Sequence, residues 1–518
     1  MHKVYYIIFL TILTRLYHIT FPVIGWHAWR QSDTATIARN FFYNGFNILY
    51  PQINFNGNGT GYVESEFHIY PFIVSLLYAV FGVEDMIGRI VSVIFSMFTV
   101  YGIYLLVKKI MNEDIALWSS FIYAILPLNI FYGRAFMPEA AMLMCSVYSI
   151  YFFSEWIDKE NKTLTPNPSP HGEGRNDKVI SHISHSFSLK QSNLVLIKYF
   201  IPAWLFTVLA ILIKLPTLYL GLPLIYLALQ KHKYKVFTNI KMWLFFILVL
   251  IPVILWYYHA HQLYLNNGAT FGIWTFGEDK WGMIGPLINP SFYYSVFIVD
   301  IAGRHFTYPG FILLLIGLFV KREFEREKLF DYWILSVIIY FLIANHANRV
   351  HEYYQLPFIL PASIFIGKIL NKLIPLDNFK NAFKSHKFSS SFAVLCVVLI
   401  CVLSYLRVSE YMKAESWDSP VFKIANDINS LSSKSDLIIT VNYSSPLHLY
   451  FCDRKGWGVS SEQLTDSFMN VRINEGAKWL VGEKNVLENK QSEKYILNIF
   501  QKYPVIKKEE DYFIVKLK

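Results

Sequence analysis

The chain has 518 residues, of which 54% are hydrophobic, 18% aromatic and 16% charged, with a mean hydropathy of +0.34. Soluble domains carry about 25% charged residues, so an ordinary soluble protein, a disordered chain and a fibrous repeat are all excluded, while 43 Phe, 35 Tyr and 13 Trp suit segments buried in lipid and anchored at its interfaces. The formal net charge of +10 comes from Lys and Arg placed between apolar runs rather than along a basic aromatic face, which argues against a nucleic-acid partner and for a positive-inside bias.

The first apolar run, 4–24, follows a short basic start with no small-residue cleavage site behind it. It reads as a retained span with its N-terminus in the cytoplasm. The outward loop 25–85 is too patterned to be a linker: a helix is predicted from near Ser32 or Asp33 to Gly45, and residues 67–82, bounded by Pro71 and Gly82, read as an interfacial segment. Further spans are predicted at 86–107, 115–132, 140–157, 198–213, 216–230, 241–262, 309–320, 329–345, 355–371 and 391–406, about eleven crossings in all. Strict alternation then puts Lys108 and Lys109, the loop 158–197, Lys231 to Lys235, Lys321 to Lys328 and the loop 372–390 in the cytoplasm. These are the basic loops, whereas the outward segments 25–70, 263–308 and 346–354 carry few basic residues.

Within the cytoplasmic loop 158–197, the Pro- and Gly-rich stretch 164–175 reads as a disordered insertion. It resembles the translated product of a dispersed bacterial intergenic repeat, which points to a bacterial host and so to the inner (plasma) membrane. Composition changes sharply at 407. Short apolar strands at 437–441, 478–481 and 512–515 alternate with helical pattern and predict a small soluble α/β domain over 407–518, outside the membrane. The organisation expected is therefore a membrane domain over 1–406, a catalytic first outward loop 25–85 and the α/β domain. The four cysteines form neither a disulfide framework nor a zinc-ligand spacing.

Polar residues cluster on the outward side. In the run Trp26-His27-Ala28-Trp29-Arg30-Gln31-Ser32-Asp33, Asp33 is suited to act as a general base with a raised pKa, and equally to cap the following helix. Glu64, Glu66 and His68 precede the interfacial segment, where paired acids split acid and base roles or line a solvated edge. Arg134 and Glu139 flank the entry to the fourth span, as a functional pair or as a cap with an ion pair. Lys214 stands alone between two apolar runs, placed to meet a lipid phosphate or to snorkel. Arg304, Arg349, His351 and Tyr354 complete the outward set. No P-loop, dinucleotide fingerprint, Gly-x-Ser-x-Gly elbow or His-Glu-x-x-His motif is present.

Taken in order, Trp29-Arg30-Gln31-Ser32-Asp33-Thr34, Glu64-Ser65-Glu66-Phe67, Arg134 with Pro138-Glu139, and His351-Glu352-Tyr353-Tyr354-Gln355-Leu356-Pro357 resemble the membrane-embedded GT-C glycosyltransferases of the protein mannosyltransferase and lipid A aminoarabinose transferase type. The resemblance covers about 1–406. It implies an α-helical polytopic membrane fold that moves a sugar, with inversion, from a polyprenyl-phosphate donor to a lipid, glycan or protein acceptor. Asp33 matches the family's loop-one acid, Glu139 a second acid and Glu66 a carboxylate ahead of the interfacial segment. Arg134, Lys214, Arg304, Arg349, His351 and Tyr354 are then the candidates for the donor phosphate, and His27, Arg30, Glu64 and His68 for acceptor or loop support. The aminoarabinose transferases have a Lys directly after that carboxylate where this chain has Phe67, and Leu215 replaces the Gly of their Lys-Gly-Pro turn. No cofactor or obligatory metal is expected. The alternative reading is a lipid or glycan transporter or flippase, which calls for polar residues along a path through the bilayer; a structural scaffold for envelope assembly is a third.

Overall fold

The computed structural model describes residues 2–160, 196–272, 282–377, 387–441, 445–484 and 490–518. The stretch 164–175 lies outside them. The chain opens with α1 (His2–Leu16), then α2 (Ala28–Tyr43), α3 (Ile69–Phe81), α4 (Asp85–Ile110), α5 (Glu113–Ile125), α6 (Pro127–Tyr132) and α7 (Glu139–Glu160). Beyond residue 196 come α8 (Ile201–Ile213), α9 (Gly221–His232) and α10 (Ile240–Asn267). The membrane part closes with α11 (Thr307–Phe319), α12 (Lys328–Ile343), α13 (Ile359–Leu373) and α14 (Lys387–Lys413).

Every predicted apolar run contains helix, but fewer are unbroken spans than the eleven expected. Among the described residues, five helices are long and apolar enough to cross a bilayer: α4, α7, α10, Glu352–Leu373 and α14. Of the others, α12 is unbroken but only 16 residues long, and several are interrupted for local reasons. The run 4–24 is helical to Leu16 and then turns. The run 115–132 is broken between α5 and α6, where Leu126 is extended ahead of Pro127, as expected for a residue before proline. The segment 263–308, expected as a loop, contains a helix at Pro290–His305 that meets α11 at 110°; the turn falls at Phe306 and at Thr307, whose φ is +59°. The segment 67–82 forms the 13-residue α3, too short to span.

α5 packs along α13 with very close backbone approach at Gly367. A Cβ there would stand 2.3 Å from Ser119 Oγ and 2.6 Å from the Ser119 backbone nitrogen. Gly367→Val is therefore expected to cost about 1–3 kcal/mol through overpacking, measurable as a lowered Tm of the detergent-solubilised protein.

Beyond α14 lies a five-stranded sheet in the order β2-β1-β3-β5-β4, built from β1 (Leu437–Val441), β2 (Gly456–Val459), β3 (Ala477–Glu483), β4 (Val505–Lys508) and β5 (Tyr512–Lys516). β1 runs parallel to β2 and β3, and β5 is antiparallel to β3 and β4. The three predicted strands are β1, β3 and β5, whose apolar residues fill both faces. α14 runs past the composition change at 407 to Lys413. This unit docks on residues 54–57, between α2 and α3: Gly57 N–H donates to Gly456 O at 2.8 Å and Gly456 N–H to Asn54 O at 3.0 Å. Arg39 of α2 donates to Tyr450 O at 2.9 Å and pairs with Asp453 at 3.3 Å.

Candidate active site

α2 carries the densest polar cluster, yet Arg30 through Phe41 are all buried. The helix begins at Ala28, earlier than expected, after His27 at φ +52°. Ser32 and Asp33 thus lie in its second turn, and neither caps it. The hydroxyls satisfy themselves on the helix: Ser32 Oγ donates to Trp29 O at 3.0 Å, Thr34 Oγ1 to Arg30 O at 2.9 Å and Thr36 Oγ1 to Ser32 O at 2.7 Å. Asp33 is 3% exposed, and its Oδ1 is buried with no hydrogen-bond partner among the described residues. Burial pushes its pKa up to about 7, partly opposed by the Arg30 guanidinium. That is the range in which a carboxylate works as a base near neutral pH.

The segment 63–68 is stitched to α10 and to the residues that follow it. Glu64 N–H donates to Ala269 O at 3.0 Å, Phe271 N–H to Glu64 O at 2.9 Å and Trp256 Nε1 to Ser65 O at 3.1 Å. Phe67 N–H donates to Leu212 O at 2.8 Å, which brings Glu66 beside Lys214. There an alternating row of charges forms. Arg30 Nη2 lies 3.3 Å from Glu66 Oε2, Lys214 Nζ 3.8 Å from Glu66 Oε1 and 3.1 Å from Glu139 Oε1. The Lys214 ammonium also faces the Tyr353 and Tyr354 rings at 5.4 and 5.2 Å. Burial works against its charge, but Glu139 and Glu66 outweigh that and raise its pKa.

His351 stacks on Tyr353 at 5.2 Å and meets His27 edge-on at 5.5 Å. Burial lowers its pKa to about 4. Beside it, the buried Glu352 accepts hydrogen bonds from Trp26 Nε1 at 2.6 Å and the Tyr132 hydroxyl at 2.7 Å, and pairs with His27 Nε2 at 3.2 Å. One carboxylate thereby ties the start of α2 to the segment bearing His351 and Tyr354. Glu352→Gln replaces one acceptor oxygen by an amide donor and is expected to cost about 1.5–3 kcal/mol, read as a fall in Tm.

Two cavities meet at this cluster. One, of about 400 Å³, is walled mainly by apolar side chains, among them Leu215, Leu218, Leu222, Ile339 and Ile343. The second, of about 210 Å³, is lined by Trp29, Arg30, Phe271, His346, His351 and Tyr353 among others. Glu66, Ala347 and Tyr354 belong to both.

The structure thus gathers His27, Arg30, Glu66, Glu139, Lys214, His351 and Tyr354, with Asp33 one helical turn from Arg30. Other candidates lie elsewhere. Arg134 does not pair with Glu139; its guanidinium is buried against Glu415, at 3.1 Å, and so is not turned to the cavities. Arg304 is bound to Asp300 one turn earlier, at 3.0 Å, and Arg349 is exposed. Glu64 is fully buried between the Thr270 hydroxyl and His261 Nδ1, the latter at 3.1 Å. His68 is hydrogen-bonded to Ser65, and burial lowers its pKa to about 3. Among the described residues no group of three or more His, Cys, Asp or Glu is placed to hold a metal ion. Glu352, Trp26 and Tyr132 were not singled out from the sequence; Glu352 stood in the quoted 351–357 motif, but its partners are more than 200 residues away.

Residues 68–165 match the family model of the dolichyl-phosphate-mannose-protein mannosyltransferases. No curated protein matches the sequence. Among solved structures, ArnT from Cupriavidus metallidurans bound to undecaprenyl phosphate aligns with a TM-score of 0.62 at 11% identity, over 100% of this chain and 97% of that one. The Archaeoglobus fulgidus oligosaccharyltransferase in its apo form aligns with a TM-score of 0.60 at 11% identity, over 96% of this chain and 71% of that one. The same organism's AglB in complex with an inhibitory peptide and a dolichol-phosphate aligns with a TM-score of 0.56 at 11% identity, over 96% and 70%. The chain is a polytopic membrane protein of the GT-C fold, with a small α/β domain at its C-terminal end.

Proposed function

We propose that the protein transfers a sugar from a polyprenyl-phosphate donor to an acceptor hydroxyl on the outer side of a bacterial inner membrane, with inversion. The observation that carries this reading is the meeting of an apolar cavity with a charged one at Glu66, beside two buried cations, Arg30 and Lys214. A ligand with a long apolar tail and an anionic head fits that junction. Solved structures of the same fold contain undecaprenyl phosphate in one case and a dolichol-phosphate in another. The basic loops support a cytoplasmic N-terminus and an outward α/β domain.

In this scheme the acceptor O–H gives its proton to the Asp33 carboxylate as the oxygen attacks the anomeric carbon. The bond from that carbon to the phosphate oxygen breaks, and the lipid phosphate leaves with one added negative charge. Lys214 and Arg30 stabilise it, each contact contributing about 2.7–4 kcal/mol to the transition state if it matches other preorganised donors. Glu139 holds the Lys214 ammonium in place. No step calls on a metal.

The test uses the purified full-length protein in detergent with radiolabelled polyprenyl-phosphate sugars and a panel of lipid, glycan and peptide acceptors. Transfer with inverted anomeric configuration, read by NMR of the product, is expected. Donor binding without consumption across the panel would favour a lipid carrier instead.

A further inference from the structure

We propose that the Glu66 carboxylate is a stand-in for the donor phosphate: it occupies the anion position between Arg30 and Lys214 when the site is empty and yields that position when the lipid phosphate arrives. The inference rests on the lipid-phosphate reading above, and adds to it the residue that competes with the ligand.

The geometry is that of an anion site already filled. One Glu66 oxygen faces Arg30 Nη2 at 3.3 Å and the other faces Lys214 Nζ at 3.8 Å, so two oxygens on one carbon bridge two cations as two oxygens on one phosphorus do. Both cations are buried, with side chains 10% and 4% exposed, and buried charges need a counter-ion. Lys214 has a second acid in Glu139, at 3.1 Å. The two acids differ in their surroundings. Glu139 is 1% exposed and borders neither of the two large cavities, whereas Glu66 is 15% exposed and lines both. Glu139 is thus a fixed partner, and Glu66 is the one with room to turn.

Charge balance explains why such a device is useful. Arg30, Lys214, Glu66 and Glu139 sum to zero, so a phosphate entering with Glu66 in place meets a neutralised site with a like charge at its centre. Rotation of Glu66 into the polar cavity presents both cations to the phosphate and keeps the buried charge near balance. After transfer, the returning carboxylate competes with the lipid phosphate product and speeds its release. No covalent bond is made or broken in the exchange.

The experiment measures binding of undecaprenyl phosphate to the full-length protein in detergent, with a thermal melt of each variant as the folding control. Glu66→Gln is expected to bind about tenfold tighter than wild type and Arg30→Gln and Lys214→Gln about tenfold weaker, while the double variant E66Q/R30Q returns near the wild-type value. Glu66→Asp, which keeps the charge but draws it back by one methylene, gives a smaller gain and preserves a test if the Gln variant folds poorly. In turnover, Glu66→Gln lowers KM for the donor and lowers kcat through slow product release. Unchanged or weaker binding by both Glu66 variants overturns the proposal, because a structural role or a direct ligand role predicts loss. If neither wild type nor any variant binds the lipid phosphate, the donor reading itself falls, and with it this proposal.

Discussion

Asp33→Asn is expected to lower turnover by at least about a hundredfold while donor binding changes by no more than a few fold, the effect of removing a positioned general base. The residue is buried, its Oδ1 lacks a hydrogen-bond partner among the described residues, and the adjacent Arg30 is already engaged by Glu66. An oxygen so placed keeps its accepting capacity unspent, although Asp33 lines neither of the two cavities. Two opposed pH dependences follow from the same group. Burial, partly offset by Arg30, raises the pKa from 3.8 to about 7, so the base form accumulates, and transfer rises, as pH increases through about 7. Stability runs the other way. From about pH 4 to 7 the folded state binds more protons at Asp33 than the unfolded state, so the residue's contribution is full below the unfolded value and lost as pH rises through the folded one. In Asp33→Asn both dependences disappear together. Rates and melting temperatures of the two proteins between pH 5 and 9 test this, and near-normal turnover by the Asn variant would exclude Asp33 as the base.

What the sequence made legible follows from the range of the interactions. Apolar runs and interfacial aromatics are set by the lipid environment residue by residue, so every predicted apolar run contains helix, and the three predicted strands are three of the five in the sheet. Boundaries were lost where a local feature interrupts the run: Pro127 after α5, and the turn at Phe306 and Thr307 that hides the helix Pro290–His305. In the site, Asp33, Glu66, Glu139 and Lys214 were recognisable as outward polar groups next to apolar runs, and α2, α7, α8 and the 63–68 segment bring them together. Pairing was not legible. Arg134 lies five residues from Glu139, a spacing that suggested a pair, but its guanidinium reaches His18 O and Glu415 instead. Glu415 gave no signal, since a lone acid after a membrane helix looks like any solvated stalk residue. Its partners are 326 and 281 positions away, and such contacts depend on how the helices pack.

Glu415→Ala is expected to destabilise the protein by about 3–5 kcal/mol, the cost of leaving buried charges without a partner. Glu415 lies two residues beyond α14, on the way to the soluble domain, yet its side chain is 1% exposed. Its Oε1 receives Arg89 Nη2 and Arg134 Nη1, each at 3.1 Å, and its Oε2 receives Arg134 Nη2 at 3.1 Å. The two arginines in turn donate to His18 O at 2.8 and 2.6 Å, and Arg89 to Pro22 O at 2.9 Å. This node fastens the stalk of the α/β domain, α4 and the chain just ahead of α2. Two cations and one anion leave a net positive charge, so the substitutions are not equivalent. Removing Glu415 strands two buried guanidinium groups. Arg89→Met instead leaves a balanced Arg134–Glu415 pair and is expected to cost less, despite the loss of its own carbonyl contacts. Glu415→Gln falls between, keeping the acceptor but not the charge. Thermal melts of the three variants in detergent are expected in the order Arg89→Met, Glu415→Gln, Glu415→Ala from most to least stable. Because residues 17–26 lead into α2, Glu415→Ala is also expected to lower transfer at temperatures where it remains folded. Melting of Glu415→Ala at the wild-type temperature would mean that water or an anion reaches the two arginines and takes the place of the carboxylate.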